Sequence, residues 1–95
     1  MTTFVMTGRY SAEAIRQISG KRTTTAIDII RQCGGKLVAA YATMGKSDLL
    51  AIVEFPGVGE AIKASVALNK ALGISFSTVP ALGVEDFDKL IGGKA

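Results

Sequence analysis

The sequence contains no histidine, no tryptophan and a single cysteine in 95 residues. Each absence removes a class of chemistry. Without histidine, the usual general base at neutral pH is missing. One cysteine and no histidine cannot assemble a zinc site of the common kinds. No catalytic residue, metal ligand or cofactor is therefore assigned from the sequence. A lone cysteine also excludes an internal disulfide framework, which suits a reducing, cytoplasmic compartment. Aromatic residues are only 6% of the chain, too few to suggest a base-stacking platform. The net charge is +3, but the basic residues are scattered and Lys21-Arg22 is their longest run, so no nucleic-acid partner is expected. The most apolar run, Leu49 to Val53, is far short of the roughly 20 residues that cross a bilayer. Met1 to Arg9 lacks a basic stretch ahead of a long apolar core and does not read as a secretory leader. No membrane partner is expected.

What the sequence does have is apolar surface. Hydrophobic residues make up 48% and charged residues 20%, with mean hydropathy +0.37. This length reads as one domain over 1–95, and such a domain buries about 60–65% of the surface its unfolded chain exposes. So much apolar sequence in so small a volume needs an address.

Thr3 to Arg9 sets Phe4 and Met6 against Val5, Thr7 and Arg9, the period of a strand. Ser11 suits a helix N-cap with Glu13 in the first turn. Ile15 and Ile18 continue at helical spacing, Gly20 interrupts, and Ala26, Ile27, Ile30 and Cys33 restore it before Gly34-Gly35. The spacing predicts a broken or kinked helical arm over 11–33. Its weak point is Thr23-Thr24-Thr25, whose β-branched side chains lose rotamer freedom in a helix. Lys36 to Met44 and Asp48 to Phe55 read as strands joined by the short turn Gly45-Lys46-Ser47, an antiparallel hairpin. Pro56-Gly57 ends the second of them. A helix follows over 58–72, with Val58, Ile62, Val66 and Leu72 on one face and Gly73 after its end. Ile74 to Val79 alternates as a last strand that Pro80 closes. Val84 to Ile91 forms a short helix with Phe87, Leu90 and Ile91 on one side, and 92–95 reads as a frayed tail.

The order β, α, β, β, α, β with a short C-terminal helix is an α+β, ferredoxin-like arrangement. It predicts a four-stranded antiparallel sheet with two helices on one face. The other face should be polar if it meets water. It is not. Along 36–44 the alternating sets are Leu37, Ala39, Tyr41, Thr43 and Val38, Ala40, Ala42, Met44. Along 48–55 they are Leu49, Ala51, Val53, Phe55 and Leu50, Ile52, the latter flanked by Asp48 and Glu54. Both faces of the hairpin are largely apolar, more than a soluble monomer usually leaves open. Face-to-face packing of two sheets in a two-fold homodimer, or a larger homo-oligomer, is the expected outcome, the alternative being that the C-terminal segment folds over that face.

Several short motifs add up across the chain. Gly8-Arg9-Tyr10 precedes Ser11-Ala12-Glu13, and Gly34-Gly35-Lys36-Leu37 opens the second strand. Tyr41, Thr43, Gly45 and Asp48 surround the hairpin turn, Glu54-Phe55-Pro56 follows, and Thr78 lies late in the last strand. Over residues 3 to 91 this layout resembles the GYD-domain family of small bacterial proteins. The resemblance implies a ferredoxin-like fold of the dimeric α/β-barrel type, and no particular reaction. The family's Gly-x-Tyr-Asp signature falls at Gly45-Lys46-Ser47-Asp48, so Ser47 stands where its tyrosine would be.

Other motifs reduce to structure. Gly57-Val58-Gly59-Glu60-Ala61-Ile62 has part of a dinucleotide fingerprint, but Ile62 replaces the third small residue and the strand context is antiparallel. Turn and cap chemistry accounts for it. Gly20-Lys21-Arg22-Thr23 matches only the end of a P-loop. Cys33 sits at a helix C-terminus, where the negative dipole end opposes a thiolate, and reads as a buried structural thiol. Met6 and Met44 read as core filling. Asp48 reads first as a carboxylate that accepts turn N–H groups and fixes hairpin register. Its functional alternative is a ligand cleft made of Arg9, Tyr10, Tyr41, Thr43, Lys46, Ser47 and Asp48.

The leading functional expectation is a non-catalytic oligomeric module that binds a small molecule or a protein partner. The runner-up is a cofactor-independent enzyme, monooxygenase- or isomerase-like, with a site between sheet and helices and Asp48, Tyr41 or Tyr10 in acid–base roles. A third reading is an architectural subunit of a larger homo-oligomer.

Overall fold

The computed structural model describes residues 1–93. Four strands form one antiparallel sheet. These are β1 (Thr2–Tyr10), β2 (Lys36–Ala42), β3 (Leu49–Phe55) and β4 (Ile74–Ala81), in the spatial order β2-β3-β1-β4. Helices α1 (Ala12–Ile15) and α2 (Gly20–Gln32) link β1 to β2, α3 (Val58–Leu72) links β3 to β4, and α4 (Val84–Gly92) follows β4. This is the expected α+β ferredoxin-like order.

Alternation builds the core. Phe4 and Met6 of β1, Ala51, Val53 and Phe55 of β3 and Ile74 of β4 point to the helix side and are buried. Phe4 meets Phe55 edge to face at 5.9 Å. From above, α2 adds Ile30, and α3 adds Ala61, Ala64, Leu68 and Leu72. The face of α3 differs from the expected one: Val58, Ile62 and Val66 are about half exposed, and alanines meet the sheet instead. Small side chains let α3 sit close over large ones from the strands.

The helical arm breaks earlier than its glycine suggests. α1 stops at Ile15, and α2 starts afresh with Ser19 as N-cap, its side chain accepting the Arg22 N–H at 3.3 Å. Gly20 is therefore the first residue of a helix and not an interruption. The three threonines are tolerated because each hydroxyl bonds back to a carbonyl four residues earlier, on Ser19, Gly20 and Lys21. Gly34, at φ +82°, ends α2: its N–H reaches Arg31 O and that of Gly35 reaches Ile30 O, both at 2.9 Å. Cys33 is half-buried at this cap and packs on the core.

A bulge between Leu37 and Ala39 resets the alternation of β2. Leu37, Ala40 and Ala42 oppose Val53, Ala51 and Leu49 on the helix side, while Ala39 and Tyr41 oppose Ile52 and Leu50 on the other. β2 also ends at Ala42, before Thr43 and Met44, and Met44 is fully exposed in the loop instead of filling the core as Met6 does. The predicted three-residue turn is a longer loop that Thr43 N–H closes on Asp48 O at 2.9 Å. β4 runs through Pro80 to Ala81 instead of closing there. As an edge strand it has one side without a ladder, so a missing N–H is tolerated. At the C-terminus Gly92 completes α4 and Gly93, at φ +71°, caps it. The remainder of the predicted frayed tail, 94–95, lies outside the described residues.

Candidate functional site

The polar residues around the β2–β3 loop are tied into one another and into β1. Asp48 N–H donates to Gly8 O at 2.8 Å, and Asp48 Oδ2 accepts the Tyr10 N–H at 3.0 Å. Thr43 Oγ1 donates to Ser47 O at 2.7 Å, and Arg9 donates to Lys46 O at 2.6 Å. The carboxylate of Asp48 thus holds the loop against the end of β1, and the Lys46 and Ser47 carbonyls serve as internal acceptors.

The seven residues of the expected cleft do not share one concavity. Arg9 and Tyr10 are consecutive in a strand and face opposite sides of the sheet. Tyr10 opposes buried Ile74 on the helix side. Arg9 opposes exposed Ser75 on the bare side, where Tyr41 also lies, 60% exposed. Thr43, Lys46, Ser47 and Asp48 belong to the loop between these two sides.

The main apolar hollow lies elsewhere. A cavity of about 100 Å³ separates α2 from the sheet. Met6, Ala51, Ile74 and Phe76 form its sheet wall, and Ala26, Ile27 and Ile30 of α2 and Leu68 of α3 form the opposite wall. Its rim on the β2 side is Leu37, Ala40 and Leu49. Polar groups enter only at one end, from Tyr10, Ser19, Arg22 and Thr23. Arg22 is held there by Leu72 O and, at 3.3 Å, by Gln17 Oε1. The opening exists because α2 leaves the β2 edge uncovered: Ala40 and Ala42 face the helix side yet are exposed. A second hollow of about 260 Å³, by Ser65, Val66, Asn69, Ser75 and Phe76, is a shallow and more open surface feature. Among the described residues no group of three or more His, Cys, Asp or Glu could hold a metal ion, and no helix is long and apolar enough to cross a membrane.

Of the expected cleft residues, only Tyr10 lines the cavity. Ile18, Ser19, Arg22, Thr23, Leu37, Ala40, Leu49 and Phe76 were not singled out as site residues by sequence reasoning. One signal was available: Thr23, Ala26, Ile27 and Ile30 follow i, i+3, i+4, i+7 and mark the inward face of α2. The gap beneath that face depends on how α2 and α3 together cover the sheet, and no local pattern encodes that packing.

The family model described as the GYD domain matches residues 4–91. No curated protein matches.

Proposed function

This chain belongs to the GYD-domain family, and we propose that it is a non-catalytic binding module. It works as a homodimer joined through the bare faces of its sheets, and it takes a small, predominantly apolar molecule into the cavity under α2. A cytoplasmic setting, consistent with a single unpaired cysteine, is part of the same reading. One observation carries it: the sheet has apolar residues on both sides, buried on the helix side and gathered on the bare side into one row between rows that hold Lys36, Glu54, Thr3, Thr7 and Ser77. On the helix side a gap is left under α2 with apolar walls and a mouth at the β2 edge. On the bare side Ala39, Ile52, Val5 and Val79 form a continuous row across all four strands. Burying that row against its two-fold copy removes the exposed patch.

The cavity chemistry favours binding over turnover. Its titratable side chains are Tyr10 and Arg22, and the guanidinium is already engaged by Leu72 and Gln17. Asp48, the carboxylate nearest in sequence logic, is committed to the Tyr10 backbone. For scale, an apolar cavity of about 150 Å³ in another protein accepts benzene, so a flat ring or short aliphatic chain matches this one after modest opening.

Indole is a suitable probe. Titrated to millimolar concentration into isotope-labelled protein, it should shift amide signals of α2 and of β1 around Met6. Ala26→Leu, which fills the cavity from α2, should abolish those shifts while the protein stays folded. Absence of shifts in the unmodified chain, or equal shifts in the variant, overturns the binding reading. Ile52→Lys places a charge in the apolar row and should convert a sedimenting dimer to monomer. A chain that is monomeric at about 100 µM defeats the dimer.

A further inference from the structure

Among the described residues α4 buries none of its side chains against its own chain. All nine of its residues are exposed, including Val84 (74%), Phe87 (51%), Leu90 (72%) and Ile91 (68%). These four fall on one side of the helix, and Glu85, Asp86, Asp88 and Lys89 fall on the other. The radius of gyration, 14.4 Å, exceeds the about 12 Å of a compact chain of this length, and the longest extent is 49 Å. We infer that α4 is an arm that docks on a second copy of this chain, over the partner's β2 edge. The inference rests on the sheet-face dimer proposed above.

Three observations support this occupant. The first is continuity. Val79 and Ala81 lie on the bare face of β4, Leu82 is 54% exposed, and Val84 begins the helix, so apolar surface runs unbroken from sheet to arm. The second is topology. β2 and β4 are the two edges of the sheet. A two-fold axis parallel to the strands stacks each β4 edge over the partner's β2 edge and keeps strand ends at the same level. Ala81, where the arm departs, is level with Lys36, because both rows meet through Thr3 and Glu54. Two residues on from Lys36, Val38 is 53% exposed at the bulge. The arm therefore meets an unpartnered apolar side chain beside a lysine. The third is charge and area. α4 carries three acids against one lysine, a net −2, so the rest of the +3 chain carries +5. Its apolar face offers on the order of 400 Å², about half of the roughly 800 Å² per partner of a stable interface. The sheet row supplies the remainder. An acidic polar face also disfavours an anionic membrane surface, which selects helices rich in Lys and Arg.

The test uses the full chain. The photo-crosslinker p-benzoylphenylalanine replaces Phe87, and copies labelled with nitrogen-15 are mixed with unlabelled ones before irradiation. Mass spectrometry should find mixed-isotope crosslinks to the 36–41 stretch. In parallel, sedimentation of Leu90→Ser/Ile91→Ser should show a dimer Kd raised by about 30-fold or more. Both positions are exposed, so the fold is unaffected, as circular dichroism will verify. Crosslinks confined to one copy, for example on the exposed α3 stripe of Val58, Ile62 and Val66, overturn the arm. So does an unchanged dimer Kd, and either result leaves the sheet-face dimer standing. A monomeric unmodified chain overturns both. Crosslinking that is lost on adding Ile52→Lys ties the arm to that dimer.

Discussion

Adding one methyl group at Gly35 should destabilise this protein more than adding it at Gly8, although both glycines sit under phenylalanine rings. A Cβ on Gly35 would lie 2.5 and 2.6 Å from the Phe55 ring and 3.0 Å from Glu54 O. The comfortable separation of carbon atoms is about 3.5–4.0 Å. Phe55 is wholly buried and packed edge to face against Phe4, so it has nowhere to go. The backbone cannot retreat either, since Gly35 N–H is bonded to Ile30 O in the cap of α2. At Gly8 a Cβ would meet the Phe76 ring at 2.7 and 2.9 Å and Ile74 Cγ2 at 3.1 Å. Phe76 is only partly buried and borders the cavity, so its ring can swing into free space. Overpacking costs about 1–3 kcal/mol and occasionally more, and stiffening the unfolded chain returns about 0.4–1 kcal/mol at either site. Gly35→Ala should therefore lose about 2.5 kcal/mol and Gly8→Ala about 1 kcal/mol. For a domain of this size a loss of 1 kcal/mol lowers Tm by about 4–8 °C. Thermal unfolding followed by circular dichroism should then show a fall of roughly 10–20 °C for Gly35→Ala and roughly 4–8 °C for Gly8→Ala. Equal losses, or a larger loss at Gly8, would refute the argument that the cavity absorbs the displaced ring.

Gly8→Ala should also weaken indole binding, because the displaced Phe76 ring occupies the space the probe needs; undiminished amide shifts would contradict this. Asp48→Asn should cost about 1–2 kcal/mol in urea unfolding, the loss of a charge-assisted bond to the Tyr10 N–H. Unchanged stability would mean that the carboxylate does not hold the loop. Gly73→Ala combines a positive φ of 69° with a Cβ 3.0 Å from Ser11 Oγ and 3.2 Å from Ala14 Cβ, and should lower Tm by roughly 8–16 °C. A Tm within about 2 °C of the unmodified protein would show that the αL cap of α3 is dispensable.

The architecture was legible in the sequence because its signals are local. Phe4 and Met6 alternate with Val5 and Thr7 whatever surrounds them, and Ser11, Gly34 and Gly73 mark helix ends through backbone chemistry that a few residues decide. The two-sided apolar hairpin was equally plain, since strand alternation needs only the order of residues. Three features were not local. The bulge at Leu37/Ala39 depends on how β2 registers against β3, and it moved Ala40 to the helix side with Leu37. The choice of alanines over Val58, Ile62 and Val66 as the inner face of α3 depends on the bulk of the phenylalanines beneath it. The site itself depends on packing: Arg9 and Tyr10 are neighbours in sequence, yet the pleat sends them to opposite faces, and only the incomplete filling of the layer between α2 and the sheet leaves a cavity for Tyr10 to border. By itself the sequence determined which elements form and how much apolar surface they must hide. Only the tertiary structure decided where that surface is enclosed and where it is left bare, because packing between layers depends on side-chain volumes brought together from distant parts of the chain.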